Sequence, residues 1–234
     1  MINLNEEWES FLITDELSVS KEEKEERNFS PKCSDIYIST QTKIAYLNSK
    51  IDLYDIFWKI PIVEYYLQKD GVIKKQIKIS MTNKEQVTEL EEKIKKEKNI
   101  SCDIIQKLDN PNARVNTYKD VRKINIGINT KDLIRYRNKK KGAFYNCFAL
   151  IIRIKLEDKF KEIHVKVFNT GKLEIPGIQN DKMLEIVLEK LIETLQPFKK
   201  EKIYYKKDNI ETVLINSNFS CNYVINRNIL FDIL

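Results

Sequence analysis

The segment from residue 144 to residue 177 constrains the fold most, because it predicts three consecutive β-strands. Residues 148–154 form an apolar run, whereas residues 163–168 and 172–175 alternate between apolar and polar side chains. Residues 169–171, Asn-Thr-Gly, place a glycine where a compact hairpin needs positive φ. The segment therefore predicts a curved antiparallel sheet with one buried face.

Alternation on the middle strand separates a core face from a second face. The core face carries Ile163, Val165 and Val167, and the second face carries His164, Lys166 and Phe168. For Phe168 the alternative is a core aromatic. His164 is expected to be half exposed.

The rest of the chain predicts an α+β arrangement. Strands are predicted at residues 34–47, 62–67, 71–80 and 100–105, and a loop at residues 109–116. Helices are predicted after Asn48-Ser49 up to Pro61, at residues 84–98 with Asn83 as cap, and at residues 180–195 with Asn180 or Asp181 as cap. The apolar stripe of the last helix can cover the core face of the sheet.

Charge is unevenly distributed along the 234 residues, whose net charge is +6. Residues 1–30 hold nine acidic and three basic side chains, so the remainder carries +12. A basic body with an acidic arm fits a protein that binds polyanions, and a composition merely rich in lysine is the alternative. We expect residues 1–30 to be a flexible arm. The densest basic cluster is Arg135, Arg137, Lys139, Lys140 and Lys141, which could contact phosphates or form a solvated loop.

No catalytic, metal or cofactor site is expected. The four cysteines have no CxxC spacing and are predicted to be buried thiols, and one histidine cannot supply a zinc ligand set. We find no nucleophile with a neighbouring base and no glycine-rich loop, so an enzyme is not expected. The sequence lacks a long uncharged apolar run and starts with acidic residues, which predicts an intracellular protein without a membrane span or secretory signal.

An internal repeat is predicted from a displacement of 177 residues. It aligns residues 36–57 with residues 213–234, with five identities in 22 positions, and keeps the strand-to-helix pattern in phase. The chain is expected to contain one complete repeat (residues 31–199, with an insertion at about 69–143) and the opening of a second (residues 200–234). A fragment or a reduced second half would account for the incomplete copy.

Three motifs make the chain resemble the TATA-box-binding protein family. VFNTGKLEIPG (residues 167–177) is similar to the family's strand-turn-strand signature, LIIRI (150–154) to the preceding strand that ends on arginine, and KIDLYDIF (50–57) to the start of its first helix. The segments VRKINIGINTKDLIRYR and KKKGAFYNCF look most like the TATA-box-binding-like proteins of large nucleocytoplasmic DNA viruses.

The resemblance implies a saddle in which a curved antiparallel sheet sits on the DNA minor groove and helices lie on the convex face. It implies a transcription initiation factor that binds double-stranded promoter DNA and recruits an initiation factor of the TFIIB type and RNA polymerase, without a small-molecule substrate. It also implies a viral protein that acts in a virus factory in the host cytoplasm or in the host nucleus and could be packaged in the virion.

The resemblance assigns DNA-binding roles to residues of the sheet. Phe168 matches an apolar wedge, Arg153 and Lys172 match bases that contact phosphates, and Lys166 lies on the same side. Groups on the groove floor are expected at Thr40 and Thr42 and, in the second copy, at Asn216 and Asn218. Three departures from the family's pattern favour an alternative function, a protein-interaction module without DNA bending. Cys147 replaces a second wedge, and Glu174 and Pro176 occupy positions that face the groove. A third class, the substrate-binding appendage of a nucleic-acid enzyme, also uses this fold.

Overall fold

The computed structural model describes residues 32–112, 117–134 and 144–234. These residues belong to two compact units: residues 36–218 form one, and residues 32–35 with residues 219–234 belong to the other. The predicted flexible arm at residues 1–30 and the basic cluster at Arg135, Arg137, Lys139, Lys140 and Lys141 lie outside the described residues.

The larger unit contains one antiparallel sheet of eight strands. Its strands are β1 (Tyr37–Tyr46), β2 (Gly71–Met81), β3 (Ile100–Asp109), β4 (Tyr118–Gly127), β5 (Cys147–Leu156), β6 (Lys159–Phe168), β7 (Lys172–Ile178) and β8 (Glu211–Asn218). They lie in the order β3-β4-β2-β5-β6-β7-β1-β8. The helices of this unit are α1 (Leu53–Lys59), α2 (Lys84–Lys96), α3 (Thr130–Ile134) and α4 (Asp181–Leu195). The smaller unit contains α5 (Arg227–Ile233).

One hydrophobic core joins the sheet to α1, α2 and α4. On β5 the side chains of Phe148, Leu150 and Ile152 are fully buried in it, and α4 contributes Leu188 and Leu191. The strand triplet and the covering helix α4 are therefore confirmed. The side of the sheet that bears this core is called the core face below.

The turn between β6 and β7 requires its glycine. Gly171 has φ +87°, and a Cβ there would lie 2.5 Å from the carbonyl oxygen of Ser49. The backbone N–H of Leu47 donates to the Gly171 carbonyl at 2.9 Å, so this close approach ties the turn to the end of β1.

Two local predictions are wrong. Residues 62–67 do not form a strand, and only Val63 donates a backbone hydrogen bond to β2, at Val72. The cap of α1 is Asp52, whose side chain accepts from the N–H of Asp55, rather than Asn48 or Ser49. Asn48 instead donates to the Lys202 carbonyl and accepts from the N–H of Tyr204, contacts that local sequence cannot reveal.

The cysteines also depart from the prediction of four buried thiols. Cys147 is buried, Cys102 and Cys221 are partly buried, and Cys33 is exposed.

Asn83 and Asn180 cap α2 and α4 as predicted, through side chains that accept from the backbone N–H groups of Gln86 and Met183.

Candidate nucleic-acid interface

The candidate site lies on the face of the sheet opposite the core face, called the outer face below. Side chains of this face occupy alternate positions of each strand and share one side through the strand register. Its central members are Thr42, Ile44 and Tyr46 of β1, Lys74, Gln76 and Lys78 of β2, Cys147, Ile151 and Arg153 of β5, Glu162, His164, Lys166 and Phe168 of β6, and Lys172, Glu174 and Pro176 of β7.

A row of cationic and aromatic side chains crosses the outer face. The register pairs Ile77 with Phe148, Cys147 with Phe168, Val167 with Leu173 and Tyr46 with Lys172. It therefore aligns five residues across five strands, here called the aromatic-basic row: Lys78, Cys147, Phe168, Lys172 and Tyr46.

Phe168 and Lys172 form the centre of this row. The Lys172 Nζ lies 5.9 Å from the centroid of the Phe168 ring, and both side chains are partly exposed. Phe168 therefore lies on the face opposite α4, where alternation predicts it, and is not a core aromatic. Lys78 extends the row, with its Nζ 3.6 Å from the centroid of the Tyr145 ring.

Sequence reasoning missed Lys78 and Tyr46. Part of the signal was present, because Gln76 and Lys78 flank the buried Ile77 on β2, but the buried Lys75 interrupts the apolar alternation. Because β2 was predicted to pair with residues 62–67, its pairing with β5 was not predicted.

The carboxylate of Glu174 is compensated within the protein. The Lys166 Nζ lies 2.6 Å from Glu174 Oε1, and both side chains are largely buried. The same amine lies 4.4 Å from the Phe144 ring centroid. Lys166 is therefore already engaged, and Glu174 presents less negative charge than its position in the sequence suggests.

Arg153 has partners inside the protein. Its guanidinium donates to the carbonyl oxygens of Leu67, at 2.6 Å, and Tyr65, at 2.9 Å, and lies 4.9 Å from the Tyr65 ring centroid. The residue is only 6% exposed. These contacts bind Arg153 to the segment before β2 and use two of its N–H groups inside the protein.

The residues predicted for the groove floor lie where β1 pairs with β8; they are Thr40, Thr42, Asn216 and Asn218. Asn216 donates to the hydroxyl of Thr40 at 3.0 Å, which places both side chains on one side of the sheet. Thr42 is paired with Leu214, and Asn218 with Tyr37. All eight residues of β8 are exposed.

One end of the outer face is covered by α3. Lys74 forms an ion pair with Asp132 at 2.6 Å, and Glu162 accepts from the hydroxyl of Thr130 at 2.6 Å. The Tyr65 hydroxyl lies 2.9 Å from the same threonine oxygen. The aromatic-basic row lies two rows of side chains away from Lys74, and its members other than the buried Cys147 are partly exposed.

His164 lies in the same row of side chains as Lys74, at the end of the outer face that α3 covers. Burial, together with Lys166 and Lys131, lowers its pKa to about 4, and Glu174 opposes the shift. The imidazole is therefore neutral near pH 7. It adds no positive charge to the interface under those conditions.

A cavity of about 380 Å³ lies beside the end of α1. Lys75 lines it and is 2% exposed, and its Nζ donates to the carbonyl oxygens of Ile60 and Trp58 at 2.7 and 3.3 Å. Burial lowers the pKa of Lys75 to about 8. These bonds satisfy carbonyls at the end of α1, so the amine has a structural role there.

Comparisons with known proteins identify no relative: no family model, curated protein or solved structure matches the chain. Within the described ranges, no group of three or more His, Cys, Asp or Glu side chains could hold a metal ion. No helix in the same part of the chain is both long enough and apolar enough to span a bilayer.

Proposed function

We propose that this protein binds double-stranded promoter DNA in the minor groove through the outer face of its sheet. In this proposal it is a viral transcription initiation factor of the TATA-box-binding type, acting in a virus factory or the host nucleus. The observation that carries the proposal is the aromatic-basic row, with Phe168 and Lys172 partly exposed opposite α1, α2 and α4. An apolar side chain beside cations can wedge between base steps while the cations neutralise phosphates.

Strand pairing adds support for a two-repeat arrangement. The displacement of 177 residues equates Ser39 with Asn216, and the Ser39 hydroxyl donates to the Asn216 carbonyl at 3.0 Å. Equivalent residues of the two predicted repeats therefore lie side by side in the β1-β8 pair, although they are one residue out of register, since the backbone pairing joins Asn216 to Thr40. Register shifts in the pairings of β1, β2 and β3 favour bending of the sheet.

The helix α4, which covers the core face of the sheet, offers its own exposed face to protein partners. The exposed face of α4 carries Lys182, Glu185 and Glu189, which are charged and solvated. We place the initiation factor of the TFIIB type and RNA polymerase on this side, because the outer face is then left to DNA.

The test is a titration of the chain with an AT-rich duplex at two salt concentrations, read by fluorescence anisotropy. Lys172→Glu should weaken binding about tenfold. It should also reduce the magnitude of the slope of log K against log[salt] by roughly 0.9, the value expected for one lost phosphate contact. Phe168→Ala should weaken binding at least about fivefold, since a central aromatic anchor is worth roughly 1 kcal/mol or more.

Lys182→Glu is the matched control, because it makes the same charge change on the exposed face of α4. It should retain more affinity than Lys172→Glu at equal net charge. Equal losses for the two lysine variants would mean that net charge alone drives binding. Unchanged binding by Phe168→Ala would contradict a wedge.

A second function, a protein-interaction module that has lost DNA bending, is favoured by a different observation. Arg153 and Lys166 are engaged within the protein, and α3 covers one end of the outer face. This function predicts that duplex DNA binds weakly and that Phe168→Ala and Lys172→Glu leave that binding unchanged.

A further inference from the structure

Three hydrogen bonds join the chain before β1 to the chain after β8. The backbone N–H of Ser34 donates to the carbonyl of Ser220 at 2.8 Å, and the Ser220 N–H donates to the Ser34 hydroxyl at 2.7 Å. Two residues further on, the side chain of Asn222 donates to the carbonyl of Lys32 at 2.6 Å. The two segments therefore run antiparallel, with Ser34 opposite Ser220 and Lys32 opposite Asn222.

Cys33 and Cys221 occupy the position between these contacts. Cys33 follows Lys32 and precedes Ser34, while Cys221 follows Ser220 and precedes Asn222. The Ser34–Ser220 bonds and the Lys32–Asn222 bond flank the two cysteines on either side, so the segments that carry Cys33 and Cys221 are held close together. In a regular antiparallel ladder the pair next to a hydrogen-bonded pair has Cα atoms about 4.5 Å apart. Disulfides bridge Cα atoms separated by roughly 4.4 to 6.8 Å.

We propose that Cys33 and Cys221 are an oxidation-sensitive pair that forms an intramolecular disulfide. With glutathione disulfide as oxidant, a thiolate of the pair attacks one glutathione sulfur and releases reduced glutathione. The second cysteine then attacks the mixed disulfide and releases another glutathione, so that two thiols are oxidised, two protons are lost and one glutathione disulfide is reduced to two thiols.

Accessibility separates this pair from the other two cysteines. Cys33 is exposed and Cys221 partly buried, and both thiols are free. Burial raises the pKa of the Cys102 and Cys147 thiols, which keeps them protonated and less reactive. A bond between Cys33 and Cys221 would close a covalent loop that contains every strand of the sheet and would oppose separation of β8 from β1.

The experiment oxidises the dilute full chain with glutathione disulfide and maps linked peptides by mass spectrometry without reduction. We expect loss of two of the four free thiols and a Cys33–Cys221 peptide as the dominant linkage. Cys102→Ser and Cys147→Ser should leave this linkage intact, whereas Cys33→Ser and Cys221→Ser should abolish it.

Repeating the oxidation in concentrated urea tests whether the fold brings the two thiols together. Loop closure in an unfolded chain favours cysteines that are close in sequence, and Cys33 and Cys221 are the most distant pair. The preference should therefore disappear in urea. A different pairing in the native chain, linkage only between two molecules, glutathione adducts without a Cys33–Cys221 bond, or the same preference in urea would each overturn the proposal.

Discussion

His164 should make the protein less stable as pH falls from 7 to 5. Its folded pKa is lowered from 6.5 to about 4 by burial and by Lys166 and Lys131, with Glu174 acting in the opposite direction. A histidine whose pKa is lowered by folding binds more protons in the unfolded chain between these two values. Its contribution to stability is therefore complete above pH 6.5 and is lost as pH falls toward 4.

The size of the effect follows from the two pKa values. At pH 5 the unfolded imidazole is almost fully protonated and the folded one is about one-tenth protonated. The free energy of unfolding should therefore fall by up to about 2 kcal/mol relative to pH 7. Partial exposure of the ring to solvent reduces this figure, so it is an upper bound.

The assay is urea unfolding at pH 7 and pH 5 for the natural chain and for His164→Gln. Carboxylates also titrate in this range, but they contribute equally to both proteins, so the difference between the two pH dependences isolates the imidazole. His164 is the single histidine, and its own titration can be followed directly by NMR. A pKa near 6.5 in the folded chain, or parallel pH dependences of the two proteins, would refute the burial of His164 on the outer face.

Three further predictions follow from the engaged side chains. The folded pKa of Lys75, lowered to about 8, should raise the free energy of unfolding by about 1 kcal/mol between pH 7 and pH 9 relative to Lys75→Met, as measured by urea unfolding; parallel curves would contradict it. Arg153→Ala should destabilise the chain by about 2 to 4 kcal/mol because it removes two charged hydrogen bonds, whereas the exposed control Lys155→Ala should cost little; equal effects in thermal unfolding would contradict the contacts. Lys78→Glu should reduce affinity for the AT-rich duplex about as much as Lys172→Glu, since both belong to the aromatic-basic row, and an unchanged anisotropy titration would restrict the interface to β6 and β7.

Sequence patterns predicted the elements whose cause is local. The period-two alternation of β6 placed Phe168 opposite the core, and the Asn180 cap fixed the start of α4, because both depend on neighbouring residues alone. Residues 62–67 have the composition of a strand, but Arg153 binds the carbonyls of Tyr65 and Leu67, and this partner lies more than 80 residues away. Asn48 likewise has the chemistry of a helix cap and is used for a distant contact.

Arg153 shows how distant contacts can engage a residue to which a local resemblance assigns DNA binding. LIIRI places an arginine on the outer face as expected, yet the segment before β2 supplies carbonyl oxygens at 2.6 and 2.9 Å that occupy its guanidinium. Because withdrawing a buried cation from two such bonds is costly, a phosphate would have to replace them at close range to gain from it. In the described part of the chain, comparable hydrogen bonds do not hold the Lys172 amine, whose neighbour there is the face of the Phe168 ring. The DNA-binding proposal therefore depends on Lys172 of β7 and Lys78 of β2, which lie in one row with Phe168, rather than on Arg153 of β5.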